Sequence, residues 1–302
     1  MKSPPFSYRA ATSAAEAAGV LAEFGTGAAV LAGGQSLLID LHFRRAHPAV
    51  VLDINPAADL GQLRVTDGWL QVGALVRHRQ LEHAAEHAGF DDPLARLCAL
   101  AARYIAHPPV RVRGTFAGSI AWAHPAAEWC ALAAAMDAQM VLVSVAGTRT
   151  VPASQWFTGR HQTVRRPDEL LTAVRMPLLG AGSGVGFAEH RRTHASFALA
   201  AALTAVNVTE GRVNWARIGM AGAAEVPVRA RAAESVLTGQ PVSEQLVAEA
   251  ADAAAGAAEP LPEPHCSPAY RRQALRVTVR RSLRQAVFAA ARAPDDEPGS
   301  WA

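Results

Sequence analysis

Two short turns of small and hydroxylated residues constrain this chain more than any other feature. Ala32-Gly33-Gly34-Gln35-Ser36 follows an apolar run, and Thr115-Phe116-Ala117-Gly118-Ser119 follows an arginine-bearing stretch. Backbone N–H groups can approach a phosphate only where bulky side chains are kept away, so glycine and alanine beside hydroxyl donors are the expected lining. Two such turns suit the two sides of one dinucleotide. Each has an ordinary reading as well: Gly33 and Gly34 can serve a plain strand-to-helix bend, and Arg111 and Arg113 beside the second turn can decorate a surface loop.

Half of the 302 residues are hydrophobic, enough for two or three packed modules. The formal charge of +3 is small and the arginines are dispersed, which argues against nucleic acid as the main partner. Cys98, Cys130 and Cys266 are odd in number and far apart, so neither a disulfide framework nor a cysteine metal site is indicated. The first ten residues lack the apolar core of a signal peptide, and the longest mostly apolar stretch, Phe197 to Val206, is too short to cross a bilayer. A soluble cytoplasmic protein without membrane insertion is expected.

Helical and extended patterns alternate irregularly, which predicts an α+β chain. Ser13 and Glu16 resemble a capping box, followed by Ala17, Val20, Leu21 and Phe24 at helical spacing until Gly25 and Gly27. A strand over Ala28 to Ala32, a brief helix over Ser36 to Phe43 and a strand over Val50 to Ile54 complete a first subdomain at 1–58. Leu63 to Thr66 and Trp69 to Val72 flank Asp67-Gly68, a strong hairpin signal. Helices are expected at His78 to His87 and Leu94 to Ile105, another opening at Pro125 and running to Met136, and strands at Met140 to Val143 and Leu171 to Val174. They form a second subdomain at 59–178. Four glycines between Gly180 and Gly186 read as a loop between modules. Beyond it, a long hairpin turning at Glu210-Gly211 and three helical patterns, at Arg229 to Leu237, Ser243 to Ala258 and Ala269 to Ala291, predict a C-terminal domain at 179–293. A loose tail follows at 294–302.

Other chemistries lack their motifs. No G-x-G-x-x-G lies between a strand and a helix, no P-loop is present, and Gly34-Gln35-Ser36-Leu37-Leu38 lacks the second glycine of a nucleophile elbow. His83-Ala84-Ala85-Glu86-His87 matches H-x-x-E-H, but a polar helix face accounts for it better than a metal site. Glu128 reads as a first-turn acid that complements a helix dipole.

The order of motifs is more specific than any one of them. AGGQSLL…HPAVVLDI, then VGALVRHRQLE, then HPPVRVRGTFAGSIAWAHPAAEW, then RRTHASFALAAAL resembles the FAD-binding medium subunit of molybdenum hydroxylases. That group includes aerobic carbon monoxide dehydrogenase and the flavin module of xanthine dehydrogenase. The similarity runs from about Phe6 to Ala291. It implies a two-subdomain FAD-binding fold of the vanillyl-alcohol-oxidase (PCMH) type, followed by a C-terminal domain of antiparallel sheet plus three helices.

Residue by residue, the resemblance implies that Ala32, Gly33, Gly34, Gln35 and Ser36 embrace the diphosphate from one side. Thr115, Phe116, Ala117, Gly118 and Ser119 would do so from the other. Gly73 and Ala74 fall near the flavin ring, Leu171 packs near the cofactor, and Glu128 lies near its ribose or adenine end. The chain departs from the family pattern at Ala117, where T-I-G-G-S is usual, and at Trp122 and His124, where A-H-A-D-P-A-A-E is frequent.

The implied role is electron transfer from [2Fe–2S] clusters in a small partner subunit, through FAD, to an external acceptor. Molybdopterin is expected in a large partner subunit, the whole forming a dimer of heterotrimers. No side chain is assigned a catalytic role, because a flavin carries its own redox chemistry. A self-contained flavin oxidase of the same fold is one alternative, and a scaffold that has lost the cofactor is the other.

Overall fold

The computed structural model describes residues 2–84 and 91–292. In chain order, β1 (Ser7–Ala10), α1 (Ala14–Phe24), β2 (Ala28–Leu31), α2 (Leu37–His42) and β3 (Val50–Asp53) come first. β1 and β2 both pair parallel with β3, so the sheet order is β1-β3-β2. Ser13 Oγ accepts from Glu16 N at 3.2 Å, while the Glu16 carboxylate accepts from Thr12 N at 2.7 Å. The capping box thus forms with its return arm one residue early. Gly25, at φ 51°, ends the helix in the left-handed region where glycine carries no steric penalty.

Next come β4 (Leu63–Thr66) and β5 (Trp69–Gly73), joined through Asp67 and Gly68 at φ 51° and 76°, as a tight hairpin requires. Helices α3 (His78–Glu82), α4 (Pro93–Ala102), α5 (Pro108–Arg111), α6 (Phe116–Trp122) and α7 (Glu128–Ala135) follow. Then come β6 (Gln139–Ser144), β7 (Gly147–Pro152), α8 (Ala153–Trp156), β8 (Phe157–Gly159), β9 (Gln162–Thr163) and β10 (Leu170–Pro177). β4-β5-β10-β6-β7 form one antiparallel sheet, on which α1 packs through β6 and β10. The C-terminal part holds β11 (Ser183–His190), β12 (Ala200–Thr209), β13 (Arg212–Ala221), β14 (Val228–Arg229), α9 (Arg231–Leu237), α10 (Glu244–Gly256) and α11 (Pro268–Arg292).

These elements form two compact units. The first gathers the described residues within 1–81, 107–123 and 137–177, and the second those within 82–106, 124–136 and 178–302. In the second unit, β11-β12-β13-β14 form an antiparallel sheet. Ala200, Ala202 and Val206 of β12 share a core with Leu275, Val279 and Leu283 of α11 and with Ala250 and Ala254 of α10. Small side chains on the strand let the helices settle close to it.

The structure corrects several expectations. Ser183 to Gly186 is the start of strand β11, not a loop: a Cβ on Gly186 would run into Ser282 O, and one on Gly184 into Ala286 O. Those glycines serve close approach of the α11 backbone. Pro125 does not open a helix. Ala123 adopts φ 51°, His124 Nδ1 accepts from Ala126 N at 3.1 Å, and α7 begins only at Glu128. α3 stops at Glu82 and α4 at Ala102, both short of the expected ends. Glu86 and His87 of the H-x-x-E-H match, and the expected tail at 294–302, lie outside the described residues.

Candidate functional site

The first glycine-bearing turn sits where β2 ends and α2 begins. Gly34 takes φ 73°, its carbonyl accepts from Leu38 N at 3.1 Å, and Gln35 Nε2 donates to Gly33 O at 3.0 Å. Gly33 has no room for a side chain: a Cβ there would lie 2.5 Å from Arg113 O and 2.7 Å from Gly114 Cα. The segment leading into the second turn therefore rests directly on the first. Two motifs some eighty residues apart meet within one unit.

The second motif is a helix start, not a free turn. Thr115 caps α6, its Oγ1 accepting from Gly118 N at 3.0 Å, and Ser119 N donates to Thr115 O at 3.1 Å. Phe116 is fully buried and Ala117 nearly so, while Phe116 N donates to Val76 O at 3.1 Å. Of this motif, Phe116 anchors the helix in the core, whereas Thr115 and Gly118 shape its first turn.

A polar network that sequence reasoning missed ties the two motifs together. Arg77 Nη1 donates to Arg113 O at 2.5 Å and Arg77 Nη2 to Asn55 Oδ1 at 2.6 Å. Asn55 Nδ2 donates onward to Ala32 O at 2.9 Å and to Asp53 Oδ1 at 2.6 Å, and Tyr8 OH donates to Asp53 Oδ2 at 2.7 Å. One guanidinium and one amide thus strap the carbonyl of the first turn to the chain entering the second. The only sequence signal was the position of Asn55 just beyond the strand at Val50 to Asp53.

The charges follow from these contacts. Burial works against the charged form of Asp53, but hydrogen bonds from Asn55 and Tyr8, together with the Arg113 cation, hold its carboxyl below the usual range. Burial, and then the neighbouring Arg113 charge, lower the proton affinity of the Arg77 guanidinium. His78, buried beside Arg111 and Arg77, is pushed down to about 3, chiefly by burial, and stays neutral at physiological pH. Its backbone N–H donates to Gly114 O at 3.0 Å. Two arginines converging on glycine-lined backbone make a cationic cradle suited to an anion. Beside Gly34 and Gln35 opens a recess of about 380 Å³ lined by Leu38, Ile39, His42 and Phe43.

Gly73, Ala74 and Leu171 also come together in the first unit. β5 and β10 pair so that Ala173 faces Gly73, and Ala74 N donates to Thr172 O at 2.9 Å. A Cβ on Gly73 would meet Leu60 O, and Leu171 lies at a bulge of β10 opposite Leu142. Glu128 lies in the second unit as the buried first residue of α7. Of the three departures from the family pattern, Trp122 and His124 make ring contacts, Trp122 against His161 at 4.2 Å and His124 stacked on Phe197 at 4.0 Å. Among the described residues no group of three or more His, Cys, Asp or Glu is placed to hold a metal ion, and no helix is long and apolar enough to cross a membrane.

The family described as "FAD binding domain in molybdopterin dehydrogenase" matches residues 4–179, and "CO dehydrogenase flavoprotein C-terminal domain" matches residues 186–286. The chain is 36% identical over 291 residues to the 6-hydroxypseudooxynicotine dehydrogenase complex subunit alpha of Paenarthrobacter nicotinovorans, covering 96% of this chain and 97% of that one. It is 31% identical over 287 residues to the carbon monoxide dehydrogenase medium chain of Hydrogenophaga pseudoflava, covering 94% and 97%. A solved structure of carbon monoxide dehydrogenase from the same organism, lacking the Mo-pyranopterin moiety of the molybdenum cofactor, superposes with a TM-score of 0.90 at 33% identity, over 96% of this chain and 99% of that one. Two matched segments that together span most of the chain, and relatives aligned almost end to end, place it without a break: the chain belongs to the family of FAD-binding medium subunits of molybdenum hydroxylases.

Proposed function

We propose that FAD binds with its diphosphate against Ala32–Ser36 and Thr115–Ser119, and with its ring system toward Gly73, Ala74 and Leu171. The observation that carries this reading is the strap from Ala32 O through Asn55 and Arg77 to Arg113 O. It sets backbone free of side chains beside two guanidinium groups. The residues present suit the cofactor: Gly33 and Gly34 keep side chains off the turn's backbone, Arg77 and Arg113 supply positive charge, and Ser36 and Ser119 bring hydroxyls. For Glu128, resemblance alone supports a role at the ribose or adenine end.

FAD held there would supply the redox chemistry that links iron–sulfur clusters of a partner subunit to an external acceptor. The chain's own work is to hold the diphosphate, orient the ring and set the local field, so no residue is assigned as acid, base or nucleophile. The partners proposed are a large molybdopterin subunit and a small [2Fe–2S] subunit, in a dimer of heterotrimers in the cytoplasm. The substrate is set by the large subunit.

The test is the flavin content of the complex purified with its native partners. Stoichiometric FAD absorbance is expected, and Gly34→Val should empty the site, because φ 73° and a Leu38 side chain 3.0 Å from a Cβ leave a branched residue strained. A colourless but fully assembled wild-type complex would point to the scaffold alternative. Turnover of an organic substrate by the isolated chain would point to the oxidase.

A further inference from the structure

Two glutamates in the second unit, Glu128 and Glu189, are buried and act on each other, and among the described residues no hydrogen-bond donor reaches the second of them. Glu128 is 5% exposed at the start of α7, and the Glu189 side chain on β11 is fully buried. The two carboxyls are close enough to act on each other's protonation, yet among the described residues neither Glu189 oxygen accepts from any N–H or O–H group. The reason is chemical: an ionised carboxyl opposite another ionised carboxyl offers only lone pairs, so nothing joins them unless one carries a proton.

Among the described residues, one cation, Arg191, acts on both carboxyls. Arg191 Nη1 stands 3.8 Å from Glu189 Oε1, too far to donate, because the guanidinium is committed elsewhere. It donates to Tyr104 O at 2.8 Å, meets His194 Nδ1 at 3.1 Å and lies over the Tyr104 ring. The other titratable groups on elements packed nearby are occupied or remote. His190 on β11 bonds to Tyr270 OH of α11 at 2.8 Å, Arg217 on β13 reaches Met136 O at the far end of α7, and Arg229 on β14 is paired with Glu234. Cys98 on α4 is a buried thiol pushed up to about 12, and His124, preceding α7, accepts from Ala126 N.

Two negative charges buried beside one guanidinium leave an uncompensated charge in a poorly solvated place, which is far costlier than retaining a proton. We infer that Glu128 and Glu189 hold one proton between them, a carboxylic acid donating to a carboxylate, and that the second unit folds around this pair as a pH-sensitive element. The pair then carries one negative charge, which Arg191 offsets. In support, burial raises the proton affinity of both carboxyls above the ordinary carboxyl range, and for Glu189 the charge of Glu128 raises it further. The proton is bound in the folded chain and released on unfolding. Stability from the pair is therefore complete below the ordinary carboxyl range and is lost progressively as pH rises from there through neutral pH.

The inference is independent of where FAD binds, and its test uses the full chain without added cofactor. Unfolding equilibria are measured from pH 5.5 to 9 for wild type, Glu189→Gln and Glu128→Gln. A glutamine at 189 keeps the shape and donates permanently to Glu128, so no proton is needed. Near pH 6 the folding constant of the wild type should fall more steeply than that of Glu189→Gln, by about tenfold per pH unit, the slope of one extra proton. Superimposable pH profiles would overturn the inference. Should the variants fail to fold, infrared spectroscopy of the wild type decides: a protonated-carboxyl band persisting at pH 6.5 upholds the pair, and its absence refutes it.

Discussion

At the scale of single residues, the candidate site is governed by what lies next to Gly33 and Arg77. Adding one methyl group at Gly33→Ala would place it on the Arg113 carbonyl and Gly114 Cα, both backbone atoms that cannot swing aside. Overpacking of this kind costs about 1–3 kcal/mol, so thermal unfolding should shift down and flavin content should fall together. Arg77→Met tests the strap in another way, leaving Arg113 O and Asn55 Oδ1 without their donor at a cost of about 1–3 kcal/mol. Arg77→Lys, with one ammonium in place of a fork, should retain part of the affinity for FAD, and full retention by Arg77→Met would dismiss the strap. His78 gives a pH prediction. Because its folded value is lowered from 6.5 to about 3, the stability it contributes is intact above 6.5 and is lost as the pH falls toward 3. Its ring resonances should not titrate between pH 5 and 8 by NMR, and a midpoint near 6.5 would mean that the ring is solvated.

At the scale of elements, the glycines of β11 decide how α11 lies on the sheet. Gly186→Ala would drive a methyl into Ser282 O and against Gln285 Cβ, lifting the helix from the strand along which it packs. A loss on the order of 1–3 kcal/mol is expected in chemical denaturation. Gly256→Ala is the control. It lies at the end of α10 with nothing within 4 Å of a Cβ, so alanine should be neutral or gain up to about 1 kcal/mol. These positions also show where the sequence was legible. Asp67-Gly68 and Glu210-Gly211 announced their hairpins because a tight turn needs positive φ and those residues accept it locally. Gly184 and Gly186 were misread as a linker because their reason is a helix that arrives about a hundred residues later. Strand β7, Gly-Thr-Arg-Thr-Val-Pro, escaped notice since it is a sheet edge whose exposed faces carry no apolar alternation. The diphosphate motifs were visible as composition. The Asn55–Arg77 link was not, since a hydrogen bond spanning twenty-two residues depends on how β3 and the chain after β5 are placed in space.

At the scale of the whole molecule, a modest formal charge of +3 conceals a local concentration of cations at the cradle, where Arg77 and Arg113 sit close enough for the charge of Arg113 to weaken proton binding by Arg77. A ligand that neutralises this repulsion stabilises the fold beyond what apolar contact alone provides, and the ligand must carry its negative charge at the turns. Unfolding of the cofactor-depleted full chain should therefore discriminate among flavins by their phosphates. FAD at a hundred times its dissociation constant should add about 2.7 kcal/mol, by mass action on the folded state alone. Riboflavin, which has the same ring and no phosphate, should add little at the same concentration, and FMN, with one phosphate, should fall between. The gap between FAD and riboflavin should narrow in high salt, because screening weakens the contribution of the exposed part of the cradle. Equal stabilisation by riboflavin and FAD would place the binding energy in the apolar recess beside Leu38 and Phe43, and would remove the diphosphate role from Gly33, Gly34 and the start of α6.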